Sequence, residues 1–172
     1  DLRAIEWQAV DCGLNGDIDD IKSLTSNTSF GYLDELYGEG DGAEIFGLIF
    51  WILTCTNDPA VIDYISYRMP NYSLEARLSL YKSAVVISNL PALKVINPFV
   101  DSWYKKHLSN ICYGSYEAFI LAHNDAPTPH HIKDAIRNSP LDVAVKVFEE
   151  FEEMLGDEDL KLIAYVYPAI FK

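Results

Sequence analysis

The chain has 172 residues, 49% hydrophobic and 23% charged, the make-up of a folded protein with a sizeable core rather than a disordered one. Its 26 acids against 13 bases give a net charge of -13, which repels nucleic-acid backbones and anionic membrane surfaces and attracts basic partners. Cys12, Cys55 and Cys112 stand far apart with no CxxC pair, an odd set that argues against a closed disulfide framework and fits a reducing, cytoplasmic setting.

Helix signals recur along the chain and strand signals hardly appear. Ala4, Ile5, Ala9, Val10 and Cys12 give a first helix, and Ile18, Ile21 and Leu24 a short second one after the Gly13 and Gly16 turn. Ile45, Leu48, Ile49, Ile52 and Leu53 give a third, apolar nearly all round and so central, yet too short to cross a bilayer. No signal-peptide pattern opens the sequence, so a soluble protein is expected. Val61, Ile62 and Ile65 mark a fourth helix, and the spans 74–87, 93–103, 116–123, 132–136, 141–155 and 160–165 continue the series. The β-leaning run 83–87 (SAVVI) suits a buried helix equally well. Asp58-Pro59, Thr128-Pro129 and Ser139-Pro140 each place a capping side chain before a proline, whose missing N–H and fixed φ suit a first helical turn. The expectation is one all-α domain over 1–172, with nine or ten short helices packed as hairpins in a globule or an α-solenoid.

Three segments share a polar first residue and apolar positions five and eight: 17–24 (DIDDIKSL), 58–65 (DPAVIDYI) and 89–96 (NLPALKVI). Each follows a more apolar helix, which suggests three helical hairpins. Residues 9–24 look like the helix, turn and second helix of an ankyrin repeat. Thr128-Pro129-His130-His131 is similar to that family's T-P-x-H opening, and 141–148 (LDVAVKVF) resembles its second helix, displaced by about two residues. The likeness covers about 40 residues; Lys133 and Asp134 replace the alanines of the pattern. It implies a stacked-hairpin binding scaffold and no catalytic residues.

Chemistry-bearing motifs fail position by position. An EF-hand series begun at Asn15 puts Asp20 where Gly is required and Ser26 where Glu is required; one begun at Asp34 puts Leu36 and Gly38 in ligand positions. Around 38–42 (GEGDG), Glu39 and Asp41 would repel a phosphate. His130 and His131 point about 100° apart on a helix and make a poor chelating pair, so no metal and no cofactor is expected. There is no GxSxG motif, and Glu149, Glu150, Glu152 and Glu153 lie along one helix as a solvated face.

The charge is uneven: residues 1–63 hold 13 acids and 2 bases, 64–140 hold 5 and 8, and 141–172 hold 8 and 3. Acidic loops carrying Tyr fit a surface that meets a basic protein, because Tyr combines contact area with a hydroxyl at low entropic cost. Tyr32, Tyr37, Tyr72 and Tyr113 sit next to Gly, Asn or acidic residues in expected loops. The expected binding residues are Asp17, Asp19, Asp20, Tyr32, Asp34, Glu35, Tyr37, Glu39 and Asp41, with 149–153 and 157–159 as a second surface. This profile is similar to that of bacterial immunity proteins, which implies a cytoplasmic, non-enzymatic inhibitor covering the active cleft of a basic nuclease-type toxin. Two alternatives stay open: a helical-repeat adaptor with a concave face, and a small hydrolase with paired carboxylates.

Overall fold

Asp58, Asn89 and Thr128 each accept a backbone N–H from two or three residues on, and each opens a helix with Pro in its first turn. The computed structural model describes residues 18, 19, 22, 54, 57–108, 110–124 and 126–171, and contains no strand among them. Ile18, Asp19, Lys22 and Thr54 are helical. The helices over 59–171 are α1 Pro59–Arg68, α2 Leu74–Ile87, α3 Leu90–Ile96, α4 Ser102–His107, α5 Tyr116–His123, α6 Pro129–Asn138, α7 Leu141–Phe151 and α8 Asp157–Val166. No helix among the described residues is long and apolar enough to cross a membrane. The first and third expected helices and the glycine-rich loop lie outside the described residues.

The chain packs as two units, 1–84 and 85–172. In the first, α1 buries Val61, Ile62, Tyr64 and Ile65, the i, i+1, i+3, i+4 pattern of a core-facing stripe. Met69 follows, fully buried. From α2 the Arg77 guanidinium donates to the carbonyls of Met69 (3.1 Å) and Pro70 (3.0 Å), satisfying groups that the end of α1 leaves without helical partners.

In the second unit, α6 and α7 form an antiparallel hairpin across Ser139 and Pro140. α3 packs on α5, α5 on α7, and α6 on α8. The core between them is Ile96, Phe119, Ala122, Ile132, Ala135, Ile136, Val143, Ala144 and Val147. The expected helix over 93–103 is two helices: Pro98 cannot donate to a continuing ladder, so a 3-10 turn at Asn97–Phe99 intervenes and Asp101 starts α4, accepting from Trp103 N–H at 2.7 Å. Ser139 does not cap α7 as its position before Pro140 suggests. It ends α6, and its hydroxyl accepts from Tyr113 N–H at 3.0 Å.

The loop before α5 is fixed from several sides. Gly114 N–H donates to the Val85 carbonyl at 3.0 Å, and a Cβ there would lie 2.2 Å from the Val86 oxygen, so the backbones meet at a distance only glycine permits. Asp134 of α6 accepts from Asn110 N–H (3.0 Å) and Ile111 N–H (2.9 Å). Lys133, its neighbour, reaches Asp159 of α8 at 3.1 Å. The two positions that depart from the T-P-x-H repeat pattern thus each hold a neighbouring segment.

Candidate functional site

The C-terminal surface of the second unit gathers acids and uncovered apolar side chains. On α7, Val143, Ala144, Val147 and Phe148 face inward, so Glu149 and Glu150 point to solvent. The 3-10 turn Glu152–Met154 then exposes Glu152, Glu153 and Met154. α8 begins with Asp157, Glu158 and Asp159, a run that complements the positive end of the helix dipole. Beside Lys133, Asp159 is held below the usual carboxylate range, and its Oδ2 accepts from Gly156 N–H at 3.3 Å. That direction is opposite to what a carboxyl serving as general acid needs.

Of the apolar residues on α8, Ile163 is buried, while Leu162, Val166 and above all Tyr165, 87% exposed, are not. Phe171 packs edge-on against Phe148 at 5.0 Å and is still half in solvent. Single exposed apolar residues are ordinary, and Leu162 and Val166 also border a small cavity with Lys133 and Arg137.

A second constellation lies at the junction of α4, α5 and α6. Lys105 turns inward from the last turn of α4, 8% exposed, and donates to Asn97 Oδ1 at 2.5 Å and to the Ala122 carbonyl at 3.0 Å. Burial pushes its ammonium below the ordinary value, with Asp101 opposing. His123 Nε2 lies 2.7 Å from the Tyr113 hydroxyl, and its ring stacks on His131. His131 accepts Thr128 N–H on Nδ1 at 3.2 Å while its own N–H meets Thr128 Oγ1 at 3.4 Å, a reciprocal cap on α6. The neutral ring therefore carries its proton on Nε2, which is buried without a hydrogen bond of ordinary geometry.

Burial first, then the charges of His131 and Lys105, push His123 down to about 3. Burial first, then His130, push His131 down to about 4, against Asp134 and the Lys105 backbone. A cavity of about 390 Å³ opens beside these groups, lined also by Trp103, Asn124 and Thr128. The Tyr113 hydroxyl meets His123, and the Thr128 hydroxyl accepts the backbone N–H of His131, so these groups tie α5, α6 and the loop before α5 together around the cavity.

Of the binding residues expected from sequence, Asp19 is helical and exposed. Asp17, Asp20, Tyr32, Asp34, Glu35, Tyr37, Glu39 and Asp41 lie outside the described residues. The tyrosines at 72 and 113 are buried, at 8% and 2% exposure, so neither is an interface anchor. Among the described residues the exposed aromatics are instead Tyr67, Trp103, Tyr165 and Phe171. No group of three metal-ligating side chains occurs among the described residues; His130 is exposed while His131 turns inward. The Lys105, His123 and His131 cluster draws its members from three helices, so no local spacing joins them; the one local signal is the Ser102-x-x-Lys105 spacing on α4. Compared with protein-family models, curated proteins and solved structures, the chain matches none.

Proposed function

We propose that the chain is an acidic protein-binding module, an immunity-type inhibitor that covers the active cleft of a basic, nuclease-type toxin in the cytoplasm. The observation that carries this reading is the C-terminal surface, where exposed Glu149, Glu150, Glu152, Glu153, Asp157 and Glu158 accompany exposed Met154, Leu162 and Tyr165. Complementary charge accelerates encounter, and a few desolvated anchors slow release; an inhibitor of a toxin requires both. The acidic residues of 1–63, including Asp17, Asp19, Asp20, Asp34, Glu35, Glu39 and Asp41, are the other binding stretch of this reading, with Tyr32 and Tyr37 as its anchors.

Affinity capture from the source cell at about 50 mM and about 500 mM salt tests the proposal, since the Debye length falls severalfold between them. The expected partner is basic, is retained less well at high salt, and has nuclease activity that the captured chain suppresses. An acidic partner, or a basic one whose activity is untouched, would sink it. A second reading is an adaptor built on stacked, ankyrin-like helical hairpins. The reciprocal Thr128 and His131 cap and the α6–α7 hairpin packed on α5 and α8 support it.

A further inference from the structure

α5 lies between α3 and α7, and its outward stripe is Tyr116, Glu117, Ile120, Leu121 and Asn124, the spacing of one helix face. With Leu90 and Lys94 of α3 on one side and Lys146 of α7 on the other, the stripe floors a groove of about 520 Å³. From Tyr116 to Asn124 the floor runs about 12 Å at the helical rise, or two turns of a second helix laid along it. Its middle is apolar: Leu90, Ile120 and Leu121 are half-buried, wetted on the groove side and packed on the other.

The walls are cationic in a protein with twice as many acids as bases. Lys94 and Lys146 are exposed, and among the described residues neither forms an ion pair. Lys146 is held over the groove end, its Nζ 4.5 Å from the centroid of the Tyr116 ring, a cation–π contact that keeps the ammonium over the floor rather than free in solvent. Glu117 stands at the same end and repels any carboxylate placed on the floor there, so a matching acid belongs on the flanks, against the lysines.

We propose that this groove docks an acidic amphipathic helix of a partner protein. Apolar side chains at i, i+3 or i+4, and i+7 seat on Leu90, Ile120 and Leu121, and flanking carboxylates meet Lys94 and Lys146. The groove adjoins the acidic C-terminal surface, since Glu149 and Glu150 follow Lys146 by one turn of α7, but its own lysines select the opposite kind of partner. The inference therefore goes beyond the inhibitor reading and stands or falls without it.

Fluorescence anisotropy on the full chain tests it with two stapled, fluorescein-labelled helical peptides that share one apolar stripe. One carries Glu on both flanks of the stripe, the other Lys. The Glu peptide should bind with a Kd on the order of 10 µM at about 50 mM salt, weaken about tenfold at about 300 mM, and outbind the Lys peptide at least about 30-fold. Combined Lys94→Glu and Lys146→Glu substitution should invert that preference with the circular dichroism unchanged, since both side chains are exposed. Equal binding of the two peptides, a Glu peptide indifferent to the charge reversal, or no binding at about 1 mM would overturn the proposal. So would complete displacement by dodecanoate but not by the unlabelled Glu peptide, which would mark a small-amphiphile site.

Discussion

The imidazoles of His123 and His131 stack with centroids 3.9 Å apart and planes inclined by 22°, joining α5 to α6 through two rings that must both be neutral. Their folded values of about 3 and about 4 lie below the ordinary 6.5. The unfolded chain therefore binds more protons than the folded one in the interval between. Stability from this pair is complete above about pH 6.5 and is lost as pH falls toward 4, at about 1.4 kcal/mol per pH unit for each ring. Urea unfolding at about pH 7.5 and about pH 5 should differ by about 3 to 4 kcal/mol. The paired substitution Tyr113→Phe with His123→Leu removes one titrating ring without stranding the hydroxyl, and should roughly halve that difference. A stability flat across this range would show that the rings are not held neutral.

Gly114 tests the backbone approach next to α5. Alanine there would put its Cβ 2.2 Å from the Val86 carbonyl oxygen, which sits in a helix and cannot swing aside as a side chain would. Gly114→Ala should cost about 3 kcal/mol by thermal or urea unfolding. Gly156→Ala serves as the control: the nearest atom is the Asp159 carboxylate at 3.9 Å, and the change should stay within about 1 kcal/mol. If the two substitutions cost the same, the contact at Gly114 is not tight.

Asp134 is expected to act as a clamp rather than as a solvated charge. Its carboxylate takes the amides of Asn110 and Ile111 and the Asn138 side-chain NH₂. Asp134→Ala leaves Ile111 N–H partly buried without its partner, at a cost of about 2 kcal/mol. Hydrogen exchange should speed at Asn110 and Ile111 before the core of α6 responds. Exchange that speeds evenly along α6 instead would assign Asp134 a role in the helix and not in the loop.

Local chemistry was legible in the sequence, and long-range chemistry was not. Asp58 and Asn89 head two of the three segments matched by pattern, and both cap helices whose fifth and eighth positions, Ile62 and Ile65, Leu93 and Ile96, are buried. Capping and helical spacing act over a few residues, so the pattern holds them. Ser139 carries the same Ser-Pro signal and fails, because the amide of Tyr113, distant in sequence, claims its hydroxyl. Tyr72 and Tyr113 lie in loops, as their Asn and Gly neighbours suggest, yet tertiary packing folds them inward. His130 and His131 part to different faces as one helical step requires, but the stacking partner of His131 is on the preceding helix, which adjacency in sequence does not show. The exposure of Tyr165 depends on what packs against α8, which no local pattern encodes.

That exposure separates the two jobs assigned to the acidic surface. Carboxylates at the rim act at a distance and set how fast a basic partner arrives; an apolar side chain acts in contact and sets how slowly it leaves. Replacing Glu149, Glu150, Glu152 and Glu153 by Gln should slow association with the captured partner about tenfold at low salt and flatten its salt dependence, with little change in dissociation. Tyr165→Ala should do the reverse, raising the dissociation rate about tenfold or more at an unchanged association rate. All five side chains point to solvent, so neither change should move the unfolding midpoint by more than the small shift typical of surface sites. The same neutralisation at Asp34, Glu35, Glu39 and Asp41 tells which acidic stretch the partner meets first, because only the stretch that faces it should change the association rate. Surface plasmon resonance in which neither set alters the rate would remove acidic steering from the mechanism.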